Sequence, residues 1–312
     1  MPFRPHGVQA NGSAQMTTEL PSLEAQLRTC LAAATGDATE VRLESRLEYG
    51  AINRTARLRQ GEKRYFLKLN SAERLQMFEA EAEGLLELGA AASLRVPLPV
   101  CLGCHQRSAF LVLEYLDLVP DGDEAALGAG LAALHEHTAP QFGWQRDNTI
   151  GLTPQHNVQA SDWAHFWREQ RLAPQLRLAT ERGYGPALAE PGGRLLEGVA
   201  ALLAGHRPAA SLLHGDLWRG NAAYLPDGLP VVYDPAVYFG DGEADLAMCE
   251  LFGGFGATFY STYRWQHPLQ PGHSTRRKLY QLYHMFNHLN LFGTAYLAQA
   301  QALTQELLSE LQ

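Results

Sequence analysis

Residues 40–70 alternate apolar and polar positions in the manner of strands, EVRLESRLEYG and then AINRTARLRQGEKRYFLKLN, with Gly50 breaking the first run and Gly61 turning a hairpin in the second. The next segment, SAERLQMFEAEAEGLLELGA, places Leu75, Phe78, Ala82, Leu85 and Leu86 at helical spacing and predicts a helix with Gly89 as its C-cap. After Pro97 and Pro99 the run AFLVLEYLDL reads as a buried strand, and DGDEAALGAGLAALHEHT reads as a helix. From there the pattern is largely helical, interrupted by a short β insertion at ASLLHGDLWRGNAAYLPDGLPVVYDPA. This order predicts an α+β fold of two lobes: a loose tail over residues 1–18, a small β-rich lobe with one main helix over 19–116, and a larger, mostly helical lobe over 117–312.

Composition narrows the partners. With 312 residues and 46% hydrophobic content the chain can build two cores, and its net charge of −8 offers no general attraction to nucleic acid or to an anionic membrane. No apolar run approaches the ~20 residues of a membrane helix, and the start, MPFRPHGVQANGSAQMTTEL, has no signal-peptide core, so a cytoplasmic protein is expected. Cys30, Cys101, Cys104 and Cys249 are too few for a disulfide scaffold. Cys101-Leu-Gly-Cys104-His105 matches a c-type haem attachment pattern, but its flanks, VPLPVCLGCHQRSAFLVLEYL, read as a β-hairpin turning near Gly103, so an incidental match is expected.

The candidate chemistry sits in LLHGDLWRGN and VVYDPA. Asp216 is followed five positions later by Asn221, and Asp234 lies at the mouth of the strand run VVY. Between them NAAYLPDGLPVVY reads as a hairpin turned at Pro-Asp-Gly, which would fold Asp234 back beside Asp216 and Asn221. Two carboxylates and a carboxamide are hard-oxygen ligands suited to Mg2+, with one carboxylate left to act as a base. Phosphoryl transfer needs that set, because the protein's part in it is positioning and charge neutralisation. In that template Asp216 accepts the hydroxyl proton, and Asn221 and Asp234 hold the metal.

The template also asks for a strand lysine paired with a helix glutamate. Lys68 alternates onto the same face as Phe66, and its partner is expected in the following helix, where Glu79 and Glu81 flank the apolar stripe on either side. The turn Gly50-Ala51-Ile52-Asn53 would cover the phosphates of ATP through backbone N–H groups, and adenine would meet the main chain at Glu114-Tyr115-Leu116.

The stretches KLN…MFEAEAEGL, LVLEYL, FGW…DNTIG…PQHN…DWAHFWREQRL, HGDLWRGN and YDPAVYFGDGEADLAM resemble the fructosamine kinase (ketosamine 3-kinase) family, related to aminoglycoside phosphotransferases and protein kinases, over about residues 20–310. The resemblance implies a protein-kinase-like fold that phosphorylates the 3-hydroxyl of ketosamines with ATP and Mg2+, in the repair of glycated protein. It favours Glu81 over Glu79, assigns Trp218 to the sugar side of the site, and makes Asp245 a brace of the catalytic loop through backbone N–H groups. His214 reads as a second structural brace of that loop. Ala51 and Val158 depart from the family pattern, a difference that bears on substrate range. Asp241 and Glu243 read as a solvated turn or helix cap, Trp163, Phe166 and Trp167 as core, and His284 and His288 as packing, since no third metal ligand accompanies them. Two other readings remain: a related kinase acting on an aminoglycoside, choline or another amino alcohol, and a catalytically silent binding protein of the same fold.

Overall fold

The computed structural model describes residues 13–312. Residues 1–12 of the expected tail lie outside the described residues, and helix α1 (Ser13–Thr35) already begins within the rest of it. The described chain forms two compact units. One runs to Leu75 and resumes over Pro99–Tyr115; the other comprises Gln76–Leu98 and Leu116–Gln312.

The first unit is an antiparallel sheet ordered β1 (Val41–Leu43), β3 (Arg54–Gln60), β4 (Lys63–Ser71), β6 (Ser108–Glu114) and β5 (Pro99–His105), with β2 (Glu48–Tyr49) paired to β3. Alternation along β4 sends Tyr65, Leu67 and Leu69 into a core with Leu58, Phe110 and Val112, closed by Leu23, Leu27 and Leu31 of α1. Leu27 and Leu31 are fully buried, worth roughly 1.5–3 kcal/mol each. The sheet's own cover is α1, and the helix read after β4, over SAERLQMFEAEAEGLLELGA, falls in the second unit. Lys68 shares the opposite face with Phe66 and is 4% exposed.

Two local expectations are also corrected. The β5–β6 turn lies at Gln106 and Arg107, with Gln106 at φ 52°, while Gly103 pairs with Phe110 inside the strand. A Cβ at Gly103 would stand 3.1 Å from the Phe110 ring, so this glycine is a notch in a strand. Cys101 and Cys104, three positions apart on β5, point to opposite faces, which disposes of a shared haem or metal role. Helix α2 (Leu75–Ala91) runs past Gly89 and ends at Ala92, which takes φ 53° and donates to Gly89 O. Leu86, assigned to the apolar stripe, is 54% exposed, whereas Met77 and Leu88 are buried.

In the second unit α2 lies against Val237, which a Cβ at Gly84 would approach to 2.9 Å. Asp123 caps α3 (Glu124–His135) by accepting from Ala126 N–H at 2.9 Å. Then follow β7 (Thr138–Ala139), the hairpin β8 (Asn148–Ile150) and β9 (Thr153–Gln155), and a helical stretch of α4 (Trp163–Phe166), a π-helical turn over Trp167–Leu172, α5 (Ala173–Ala179) and α6 (Gly185–Leu202). β10 (Ala210–Leu213) is flanked by β7 and β13 (Tyr238–Gly240), and β11 (Ala222–Tyr224) pairs with β12 (Pro230–Val232). Helices α7 (Gly242–Leu251), α8 (Ala257–Gln266), α9 (His273–Phe292) and α10 (Leu297–Ser309) complete the unit. Among the described residues no helix is long and apolar enough to cross a membrane.

Candidate active site

β10 is buried along its whole length and delivers the chain to His214-Gly215-Asp216. Gly215 takes φ 82°, and a Cβ there would stand 2.0 Å from Ala236 O, so only glycine lets the loop pass this close to the next strand's approach. A 3-10 turn over Arg219–Asn221 leads into the β11–β12 hairpin, whose register sets Ala222 opposite Val232. Tyr233 N–H donates to Asn221 O at 3.1 Å and Ala236 N–H to His214 O at 2.9 Å. The returning strand is thereby tied to the loop on both sides of Asp234, which is held at φ 56°, a conformation Asp tolerates better than most residues.

The three oxygen-bearing side chains meet here. Asn221 Nδ2 donates to Asp216 O at 2.9 Å and to Asp216 Oδ2 at 3.3 Å, so the amide turns its nitrogen to Asp216 and its carbonyl oxygen is the end suited to a cation. Burial, reinforced by the charge of Asp234, pushes the Asp216 carboxyl well above the usual carboxylate range, with the Asn221 bond opposing. Asp234 itself is exposed.

Asp245, on α7, accepts from His214 N–H at 2.8 Å and Gly215 N–H at 2.9 Å. Its carboxyl stays below the ordinary range despite burial, because His135 Nε2 bonds it at 3.3 Å and the loop N–H groups converge on it. His214 donates from Nε2 to Tyr233 O at 3.0 Å and accepts from Asp216 N–H at 3.3 Å on Nδ1; burial lowers its pKa. Trp218 lies over Gly220, where a Cβ would come within 2.3 Å of the indole.

Asp241 and Glu243 depart from the solvated turn expected of them. Asp241 does cap α7, through Glu243 N–H, but both residues are buried and fully engaged: Asp241 with Tyr280 and His206, Glu243 with Arg276 and His273. Trp163, Phe166 and Trp167 are buried core.

The residues of DNTIG…PQHN have no role legible from their spacing alone. In the structure they form a buried amide network that holds the strand beyond Asp234. Asn148 Nδ2 donates to Val237 O at 2.8 Å, Gln155 Nε2 to Ala236 O at 3.0 Å, and Tyr283 OH to Gln155 Oε1 at 2.6 Å. Asn157 bonds Asn148 Oδ1 at 2.9 Å, and Arg171 reaches Asn157 Oδ1 at 2.8 Å while stacking 3.9 Å over Tyr238. The signal that could have found them was a cluster of amides between turns, too polar for core unless mutually satisfied. His135 was also missed, as a lone histidine in an apolar helix.

In the first unit, Gly50 N–H donates to Asn53 O at 2.9 Å, and Asn70 Nδ2 holds Ile52 O at 3.2 Å and Asn53 Oδ1 at 2.8 Å. Ala51 is exposed in that turn. β6 ends at Glu114, and the chain passes between the units at Tyr115 and Leu116. On α2, Arg146 takes Glu83 at 2.6 Å and Glu79 at 3.6 Å; Glu81 is half-buried.

A family model for fructosamine kinase matches residues 23–310. A probable ketoamine kinase of Synechocystis sp. is 45% identical over 280 residues, covering 88% of this chain and 93% of that one. The chloroplastic protein-ribulosamine 3-kinase of Arabidopsis thaliana is 38% identical over 277 residues, covering 88% and 85%. Among solved structures, a candidate fructosamine-3-kinase from Haemophilus somnus aligns with TM-score 0.84 at 29% identity over 92% of this chain and 99% of its own. The aminoglycoside phosphotransferase APH(4)-Ia aligns with TM-score 0.61 at 15% identity over 94% and 98%, a likeness of fold. With the family match running through both units and relatives this similar over most of their length, the chain belongs to the fructosamine kinase family.

Proposed function

We propose that this chain is an ATP- and Mg2+-dependent kinase that phosphorylates the 3-hydroxyl of ketosamines, fructosamines or ribulosamines, and so serves the repair of glycated protein. The observation that carries the reading is the convergence of Asp216, Asn221 and Asp234 on one loop-and-hairpin system tied by backbone hydrogen bonds. The named relatives carry the choice of acceptor.

Asp216 orients the sugar hydroxyl and accepts its proton, a task suited to a carboxylate that burial and Asp234 make more basic than usual. Asn221 and Asp234 would hold Mg2+; their hard oxygens fit it, and the Asp234 charge beside Asp216 is of the sign a bound cation would offset. Mg2+ supplies charge neutralisation at the phosphates when bound. Lys68 and the turn Gly50-Ala51-Ile52-Asn53 bind phosphate, and Glu114, Tyr115 and Leu116 meet adenine. Glu81 partners Lys68, since Glu79 is engaged by Arg146. Asp245 and His214 hold the loop that aims Asp216, and Trp218 meets the sugar.

A panel assay of ATP consumption on a ribulosamine, a fructosamine, an aminoglycoside and choline tests the reading. Turnover is expected on the first two. Turnover confined to the aminoglycoside or choline overturns it.

A further inference from the structure

Trp218 is the first member of a continuous run of rings. Its indole meets Phe252 edge-on at 6.0 Å, Phe252 meets His288 at 4.6 Å, and His288 meets Tyr296 at 5.2 Å and Phe292 at 5.5 Å. The run leaves the catalytic loop, crosses the end of α7 and finishes where α9 gives way to the turn before α10. None of these five rings is buried: Phe292 is 48% exposed and the other four are half-buried. The aromatic residues earlier in the same unit behave differently, since Trp163, Phe166 and Trp167 are all buried core. A surface run of this length exceeds what one sugar needs.

Its electrostatics also have a direction. His288 donates Nδ1–H to His284 O at 2.8 Å, which leaves Nε2 as an acceptor in the neutral ring. Burial lowers the pKa of His288, and of His284 to about 3, so neither imidazole sets a positive charge against a ligand at neutral pH. A partly exposed run of aromatic rings with one neutral acceptor favours an alkylammonium group and its carbon stem. The net charge of −8 does not oppose a cation.

Building on the kinase reading, we infer that Phe252, His288, Phe292 and Tyr296 form a subsite continuing from Trp218 that binds the amine-borne substituent of the ketosamine, as in a sugar carried on a lysine side chain. The phosphorylated hydroxyl lies at Asp216, the sugar at Trp218, and the ammonium with its stem along the ring run. The chain is thereby selective for adducts of extended amines over adducts of small ones.

The test compares kcat/KM for two acceptors that share the sugar: the ribulose adduct of methylamine and the ribulose adduct on the side-chain amine of N-acetyl-lysine. The parent is expected to prefer the lysine adduct. In Phe252→Ala that preference should shrink about fivefold to tenfold, the scale of one aromatic contact, and in Phe292→Ser by about twofold to threefold. The KM for ATP should stay within about twofold of the parent in both. Phe292 is exposed enough for its replacement to fold, which keeps the test open if Phe252→Ala does not. A ratio that stays constant while both acceptors weaken together makes the run packing only and overturns the inference, as does a parent indifferent to the two adducts. A parent that phosphorylates neither removes the kinase reading itself, a result visible before any variant is made.

Discussion

The second unit carries two acidic groups a few residues apart in sequence, and they are built in opposite ways. In the cluster of Asp241, Glu243 and Asp245 every carboxylate is matched. Asp241 accepts from Tyr280 OH at 2.6 Å and His206 Nε2 at 2.6 Å, and Arg276 grips Glu243 with two bonds of 2.7 Å. Burial alone would raise Glu243, but His273 and Arg276 hold it down to about 2. Around Asp216 the balance is reversed: burial and Asp234 lift the carboxyl, and one amide opposes them.

That contrast separates scaffold from chemistry better than residue type does. His206, Asp241 and Glu243 have ligand atoms within 4.8 Å of one another, the arrangement of a metal trio, and line a cavity of about 760 Å³. However, a guanidinium already occupies Glu243 and a tyrosine hydroxyl occupies Asp241, so a cation would have to displace satisfied partners. Asp216, buried and lifted by the neighbouring charge of Asp234, is where a proton acceptor and an added cation are useful.

The largest effect should come from the group around Asp216. Asp234→Ala should lower turnover at least about a thousandfold and erase the strengthening of ATP binding by Mg2+ seen in calorimetry. Equal Mg2+ enhancement in parent and variant would remove Asp234 from the metal site. In the matched group the loss should fall on stability. Arg276→Met strands a buried Glu243 and should cost about 3–5 kcal/mol in denaturant unfolding, with turnover per folded molecule within a few-fold of the parent. A variant as stable as the parent would contradict the pairing.

A smaller effect concerns pH. His284 is buried and titrates near 3, against ~6.5 in the unfolded chain, so the unfolded state takes up a proton first as pH falls. Its contribution is complete above pH ~6.5 and is lost on acidification, by about 2 kcal/mol between pH 6.5 and 5. His284→Gln should flatten the stability curve in that window; an unchanged slope would place the titration elsewhere. The smallest effect is expected for Trp218→Ala, a several-fold to tenfold rise in acceptor KM, about 1 kcal/mol, with the ATP KM unmoved. A fall in melting temperature with unchanged acceptor KM would make the indole a plug.

Much of this was legible in the chain itself. Alternation gave the faces of β3 and β4 and set Lys68 opposite the α1 core, and the Pro-Asp-Gly turn brought Asp234 back to Asn221. Helix α1 was not legible, because its core stripe is only Leu23, Leu27 and Leu31, followed by an alanine run and preceded by Pro21. Gly103 resembled a turn residue because the space it leaves is filled by Phe110, a partner across the hairpin. Helical spacing could not separate Glu79 from Glu81, since Arg146 lies far along the chain. The amides of Asn148 and Gln155 were equally opaque, because their acceptors are the carbonyls of Val237 and Ala236. What depends on a distant partner cannot be read from local pattern.

The central claim is that Asp216 is the proton acceptor beside Asn221 and Asp234, and the most direct measurement is Asp216→Asn, assayed for ribulosamine phosphorylation and for Mg2+-ATP binding on one preparation. Turnover is expected to fall about 10²- to 10⁴-fold, while ATP affinity with Mg2+ stays near that of the parent because Asn221 and Asp234 are untouched. Parent-level turnover in this variant would contradict the account.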